Sequence, residues 1–104
     1  MPAAARGDSQ DRVFSKTGTG LNCSYPVTTS TDQCSTNVFI NGIGSVKIGD
    51  RVKIHNRAGC SPDTSTLSEA STKTFVNGEG AGRVGDLYTP DNIIISGSFN
   101  VFIG

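Results

Sequence analysis

An all-β fold, compact and built from three related β-hairpins, is predicted by three features of this 104-residue sequence. The first is a repeat. Residues 37–50, N-V-F-I-N-G-I-G-S-V-K-I-G-D, return without a gap at 73–86 as K-T-F-V-N-G-E-G-A-G-R-V-G-D. Phe39 aligns with Phe75, Gly42 with Gly78, and Gly49-Asp50 with Gly85-Asp86. Two short β-branched or aromatic runs around a Gly-containing turn read as a hairpin. The second feature is a third copy cut in two: residues 99–104 supply its first half and residues 2–8 its second. Ends that complete one unit predict termini that meet and an object of approximate three-fold symmetry, not an open solenoid. The third is composition. Thirteen Gly and many Ser, Thr and Asn suit turns and exposed strands, and no apolar stripe recurs at helical spacing.

Taken in order, residues 1–8 are the orphan half-hairpin, and Pro2, which lacks an N–H, suits a strand start or an edge. Arg6-Gly7-Asp8 spells an adhesion tripeptide, but the repeat already accounts for Gly7 and Asp8. Residues 9–36 form a long connection, with Val13-Phe14 a short strand, Thr17-Gly18-Thr19-Gly20 a loop, and Cys23 and Cys34 favouring order. Residues 37–50 form the central hairpin. In the connection 51–72, Val52-Lys53-Ile54-His55 reads as an alternating strand and Leu67-Ser68-Glu69-Ala70 as one helical turn at most. Residues 73–86 form the second complete hairpin. The shortest connection, 87–97, holds a turn over Tyr88-Thr89-Pro90-Asp91-Asn92 and a strand at Ile93-Ile94-Ile95. Residues 98–104 supply the closing strand.

Several function classes are excluded on composition. Nine basic and nine acidic residues give zero formal net charge, so no cationic surplus exists to neutralise phosphates of a nucleic acid. No apolar run approaches the roughly 20 residues that span a bilayer. The N-terminus lacks the charged and apolar regions of a signal peptide, which predicts synthesis in the cytoplasm. Asp8, Asp50 and Asp86 recur with the repeat and read as turn residues that accept backbone N–H groups. With one His and no phosphate loop, neither a catalytic set nor a cofactor-binding residue is nominated, and an enzyme is not expected.

Metal-ligating side chains are few and concentrated. Cys23, Cys34, His55 and Cys60 all fall in the first two connections. Four ligands complete a closed tetrahedral zinc site, and three Cys with one His is a common structural set. Sulfur-rich ligation suits zinc first and iron second. The residues leave alternatives open: a Cys23–Cys34 disulfide, disfavoured in a cytoplasmic product, or buried thiols.

The stretch Pro2-Ala3-Ala4-Ala5-Arg6-Gly7-Asp8, the ordered Gly-Asp pairs, the N-V-F-I-N-G segment and the terminal G-S-F-N-V-F-I-G resemble the PAAR-repeat proteins, a family named for a Pro-Ala-Ala-Arg stretch. Aligned on Gly-Asp, Ala5 takes the usual Arg position, while Lys47 and Arg83 hold it in the other copies. The resemblance frames the whole chain as a single domain, 1–104, with units 99–104 plus 1–8, 37–50 and 73–86. It implies a cone-shaped tip, one monomer capping a trimeric β-helical spike protein, in contractile phage tails and in type VI secretion. It also implies a metal near the narrow end, held by His and Cys from the loops after each Gly-Asp. Carried onto this sequence the ligands are Cys23, Cys34, His55 and Cys60, and the third loop offers none. The expected role is structural: sharpening the spike for membrane piercing, with transient contact with a target-cell membrane. The expected location is the virion baseplate, after assembly in the host cytoplasm. No fused toxin domain is expected. The alternatives are a type VI secretion tip, a small metal-binding or redox module, and a carbohydrate- or receptor-binding β domain. Val38, Phe39, Ile40, Phe75, Val76, Val101, Phe102 and Ile103 are expected to build the core and the base.

Overall fold

The structure, a computed structural model, describes residues 1–89 and 91–104. In chain order the strands are β1 (Arg12–Thr19), β2 (Tyr25–Ser30), β3 (Phe39–Ile40), β4 (Ile43–Gly44), β5 (His55–Asn56), β6 (Pro62–Asp63), β7 (Phe75–Val76), β8 (Glu79–Gly80), β9 (Leu87–Tyr88) and β10 (Asn92–Ile94). Among the described residues the only helical element is a 3-10 turn at Leu21–Cys23, so the protein is nearly all β. Among the described residues no helix is long and apolar enough to cross a membrane. The molecule measures 39 × 23 × 22 Å along its principal axes.

Alternation builds the largest sheet. In β1, Val13 and Ser15 are buried while Arg12 and Lys16 are exposed, the period of a strand with one covered face. β1 pairs with β2 and β10, and β10 with β9, in the antiparallel order β2-β1-β10-β9. The expected short strand at Val13-Phe14 is therefore part of an eight-residue strand. The expected strand over 52–55 is reduced to single bridges, Arg51 with Thr66 and Val52 with Thr31, before β5 begins at His55. Leu67 makes no helical turn; it is buried and bridges Tyr88. The turn expected over 88–92 includes Pro90, which lies outside the described residues.

The repeat units form hairpins. Asn41 and Gly42 have φ of 54° and 79°, Asn77 and Gly78 of 51° and 84°. Positive φ at both central positions is the geometry of the two-residue hairpin turn that Asn-Gly favours. Hence β3 pairs with β4 and β7 with β8. Between the split halves, Ala3 pairs antiparallel with Phe102, and the Ile103 N–H donates to Pro2 O at 2.9 Å. The second halves of the units also bond to one another. Ala5 N–H donates to Gly82 O (3.0 Å), Gly82 N–H to Val46 O (2.8 Å), and Val46 N–H to Ala5 O (3.1 Å).

Those bonds correct the register of the first unit. Ala5 stands with Val46 and Gly82, so Arg6, not Ala5, stands with Lys47 and Arg83. The ion pairs agree: Arg6–Asp11 at 2.9 Å, Lys47–Asp50 at 2.7 Å and Arg83–Asp86 at 3.0 Å. The acid lies five residues on in the first unit and three in the others. Two extra residues in that turn carry the acidic role from Asp8 to Asp11.

The core lies between the sheet and the joined units: Ala5, Val13, Val46, Val52, Leu67, Tyr88 and Ile94, with Cys34, Ala70 and Val84 against its edge. Of the hairpin residues expected to build the core and the base, Val76 is buried, whereas Phe39, Phe75 and Phe102 are 59 %, 60 % and 49 % exposed. Phe39 and Phe75 lie on two-residue strands and Phe102 on a single bridge, and all three rings stay in solvent.

Candidate functional site

Two regions carry the unusual chemistry. The first is aromatic. Phe39, Phe75 and Phe102 occupy the same pairing position in their hairpins, opposite Gly44, Gly80 and Ala3. Phe99 adds a fourth ring, 83 % exposed. Gly44 and Gly80 are required by close approach: a Cβ would lie 2.2 Å from Ser35 O and 2.6 Å from Ser71 O, respectively.

Serines hold the hairpins together. Ser35 Oγ accepts from the N–H groups of Asn37 and Val38, Ser71 Oγ from those of Lys73 and Thr74, and Ser98 Oγ from those of Asn100 and Val101. Each hydroxyl then donates to an adjacent unit. Ser98 reaches Asn41 Oδ1 (2.6 Å), Ser35 reaches Asn77 Oδ1 (2.9 Å), and Ser71 reaches the main-chain oxygen of Gly104. Sequence reasoning missed these serines, although a signal was present. Each lies four residues before a repeat Phe, in S-T-N-V-F, S-T-K-T-F and S-F-N-V-F.

The ion pairs follow the same three units. The Arg6 guanidinium is held above its ordinary pKa chiefly by hydrogen bonds to Asp11, and Arg83 likewise by Asp86. Each carboxylate also accepts the backbone N–H of its basic partner, at 2.7, 3.0 and 2.8 Å for Asp11, Asp50 and Asp86. Because Asp11 engages Arg6, the Arg6-Gly7-Asp8 tripeptide does not present a free guanidinium.

The second region is the far end of the β1–β2 ribbon. Arg12 and Ser30 pair near the joined units, and eight residues at about 3.3 Å each carry β1 away from them. There the loop 20–24 meets the tip of the β5–β6 hairpin. Cys23 and Cys60 form a disulfide with 5.1 Å between Cα atoms, and the Gly59 N–H donates to Asn22 O at 2.7 Å. The partner of Cys23 is thus Cys60, not Cys34.

The four candidate metal ligands are distributed as follows. Cys23 and Cys60 are bonded to each other, and a thiolate, not a disulfide sulfur, ligates metal. Cys34 is a free thiol on the hairpin side of the molecule, where a Cβ on Gly7 or on Gly44 would meet its sulfur at 2.6 Å. Burial, with the nearby charges of Asp8 and Asp50, pushes that thiol's pKa up. The polar contacts of the His55 ring are with neither the disulfide nor Cys34: its Nδ1 is 2.9 Å from Lys53 O, and its Nε2 is 3.2 Å from Asn92 Oδ1 and 3.4 Å from Asp63 Oδ2. Burial works to raise the Asp63 pKa, but hydrogen bonds from Ser65 and Asn92 and the His55 charge outweigh it and hold the carboxyl low. In the disulfide-bonded form the four residues do not fit a zinc or iron centre. Among the described residues no three His, Cys, Asp or Glu side chains are grouped to hold a metal.

Tyr88 fills the centre of the core, and burial pushes its phenol pKa far up. Neither Tyr88 nor Ser45, both fully inside, offers an approach to solvent.

Comparison with protein-family models and with curated proteins gives no match.

Proposed function

We propose that this protein is a structural cap on a trimeric β-helical spike, one monomer per trimer. In this reading the three hairpins are related by an approximate three-fold axis, and the aromatic face is the base of a cone. The observation that carries it is the set of three backbone bonds linking Ala5, Gly82 and Val46 head to tail. One chain that repeats a hairpin three times around an axis offers equal contacts to three identical strands while staying a monomer. The exposed rings of Phe39, Phe75 and Phe102 at matching positions supply that contact in triplicate. Large exposed aromatic side chains repeated at matching positions support an interaction site.

The resemblance to PAAR-repeat proteins supports the same reading and adds the setting: the spike tip of a contractile phage tail, or of type VI secretion. The role is mechanical, with no catalysis. A narrow end held rigid concentrates the force of contraction on a membrane. Zinc, with iron second, belongs to this reading only for a chain in which Cys23 and Cys60 are reduced.

The test is co-expression with the trimeric β-helical spike protein of its own contractile system, followed by native mass spectrometry. One cap per trimer is expected, and Phe39→Asp with Phe75→Asp should release it. Any other stoichiometry, or capping indifferent to both substitutions, would overturn the proposal.

A further inference from the structure

The charge of this neutral chain is segregated. Residues 12–31 and 51–62 contain Arg12, Lys16, Arg51, Lys53 and Arg57 and no acidic residue. All nine acidic residues and the other four basic ones lie elsewhere. These two segments supply the β1–β2 ribbon and the β5 arm of the hairpin that meets it, so they build the disulfide-joined pole.

The order of residues along that pole matters. At its end stand Leu21 in the 3-10 turn, 74 % exposed, and Tyr25, 58 % exposed, with Ile54 lower on the flank at 61 %. Lys16, three residues before the Thr19 that pairs with Tyr25, and Arg57, in the turn whose Cys60 is bonded to Cys23, are both exposed. Among the described residues neither makes an ion pair, whereas Arg6, Lys47 and Arg83 near the hairpins all do. Lys53 reaches back to Ser9 Oγ at 3.4 Å, and Arg12 and Arg51 sit farther from the tip. The acids that come near are Asp63, buried against Ser65 and Asn92, and exposed Asp91, which the β1–β10 register sets across from Lys16 without an ion pair between them. An apolar and aromatic end behind which cations stand is complementary to the boundary layer of a bilayer. Acyl chains and carbonyls accept Leu and Tyr there, and phosphate headgroups attract Lys and Arg.

We infer that the disulfide-joined pole docks on bilayers rich in anionic phospholipid, with Leu21 and Tyr25 entering the headgroup region and Lys16 and Arg57 contacting lipid phosphates. This deepens the cap reading, on which its biological meaning rests, by naming the partner of the end turned away from the spike. The binding itself requires no spike, so it can fail while capping succeeds, and the reverse.

The experiment is co-sedimentation of the oxidised protein with vesicles of phosphatidylcholine alone and of phosphatidylcholine doped with phosphatidylglycerol. Binding to the doped vesicles only is expected, weakening as salt rises. Lys16→Gln and Arg57→Gln should each lower partitioning about fivefold, and Leu21→Ser should lower it as well. Charge-conserving Lys16→Arg with Arg57→Lys should keep it, and Lys73→Gln, on an exposed cation of the opposite region, should leave it unchanged. Each variant's melting curve must match the parent's. The inference is overturned by no binding, by equal binding to both vesicles, by a loss in Lys73→Gln equal to that in Lys16→Gln, or by preference for a DNA duplex over doped vesicles.

Discussion

Breaking the disulfide is the sharpest test of how the far pole is held. Cys23 and Cys60 are 37 residues apart in sequence. In the chain-entropy account, closing a loop of that length removes about 4 kcal/mol of conformational freedom from the unfolded ensemble. Small domains are stable by only about 5–15 kcal/mol, so the link is a large share of the total. The pole has little else: the loop 20–24 and the turn 57–61 are exposed except at Cys23, and the Gly59–Asn22 bond ties them directly. Cys60→Ser should therefore lower the melting temperature by roughly 15–30 °C, from about 4–8 °C per kcal/mol at this size. The assay is thermal unfolding followed by circular dichroism, with and without reductant. Reductant should lower the parent's transition to that of Cys60→Ser and leave Cys60→Ser unchanged. Cys34→Ser, which removes the free thiol, should be insensitive to loop closure and keep the parent's response to reductant. A transition within a few degrees of the parent in Cys60→Ser would refute the reasoning, because the loop closure would then contribute nothing.

Other consequences are equally direct. Gly44→Ala places a Cβ 2.2 Å from Ser35 O and should destabilise by about 1–3 kcal/mol in urea unfolding. Gly42→Ala meets no atom within 4 Å and should cost only the left-handed conformation at φ +79°, about 1 kcal/mol. Equal losses at both sites would contradict the close-approach argument. For Asp63, the folded pKa lies below the ordinary value of 3.8. Between those two values the unfolded chain binds a proton that the folded one does not, so stability is present above pH 3.8 and is lost as pH falls through the folded pKa. Asp63→Asn should flatten that acid limb in denaturation curves measured against pH, and an unchanged limb would exclude Asp63 as its source. Elemental analysis should find zinc far below one atom per chain in oxidised protein, since Cys23 and Cys60 are then bonded to each other. A full equivalent that is lost in His55→Ala without reduction would show that the disulfide is not the resident state.

What was legible in the sequence was local. The Asn-Gly turns at Asn41 and Asn77, the flanking Phe positions and the all-β character follow from backbone preferences and spacing that a short stretch carries by itself. The wide first turn was not legible, because Gly7-Asp8 mimics the Gly-Asp of the other units, and only the ion pair shows that Asp11 takes the acidic place. Exposure of Phe39, Phe75 and Phe102 was not legible either, since a strand pattern does not say whether another layer covers it. The candidate ligands show the limit most clearly. Cys23, Cys34, His55 and Cys60 could be found by residue type, but their grouping depends on where long connections go. Tertiary structure joined Cys23 to Cys60 and left Cys34 beside Gly7 and Gly44. Turn and strand preferences act within a few residues, whereas the meeting of two loops 37 residues apart is decided by how the whole chain packs.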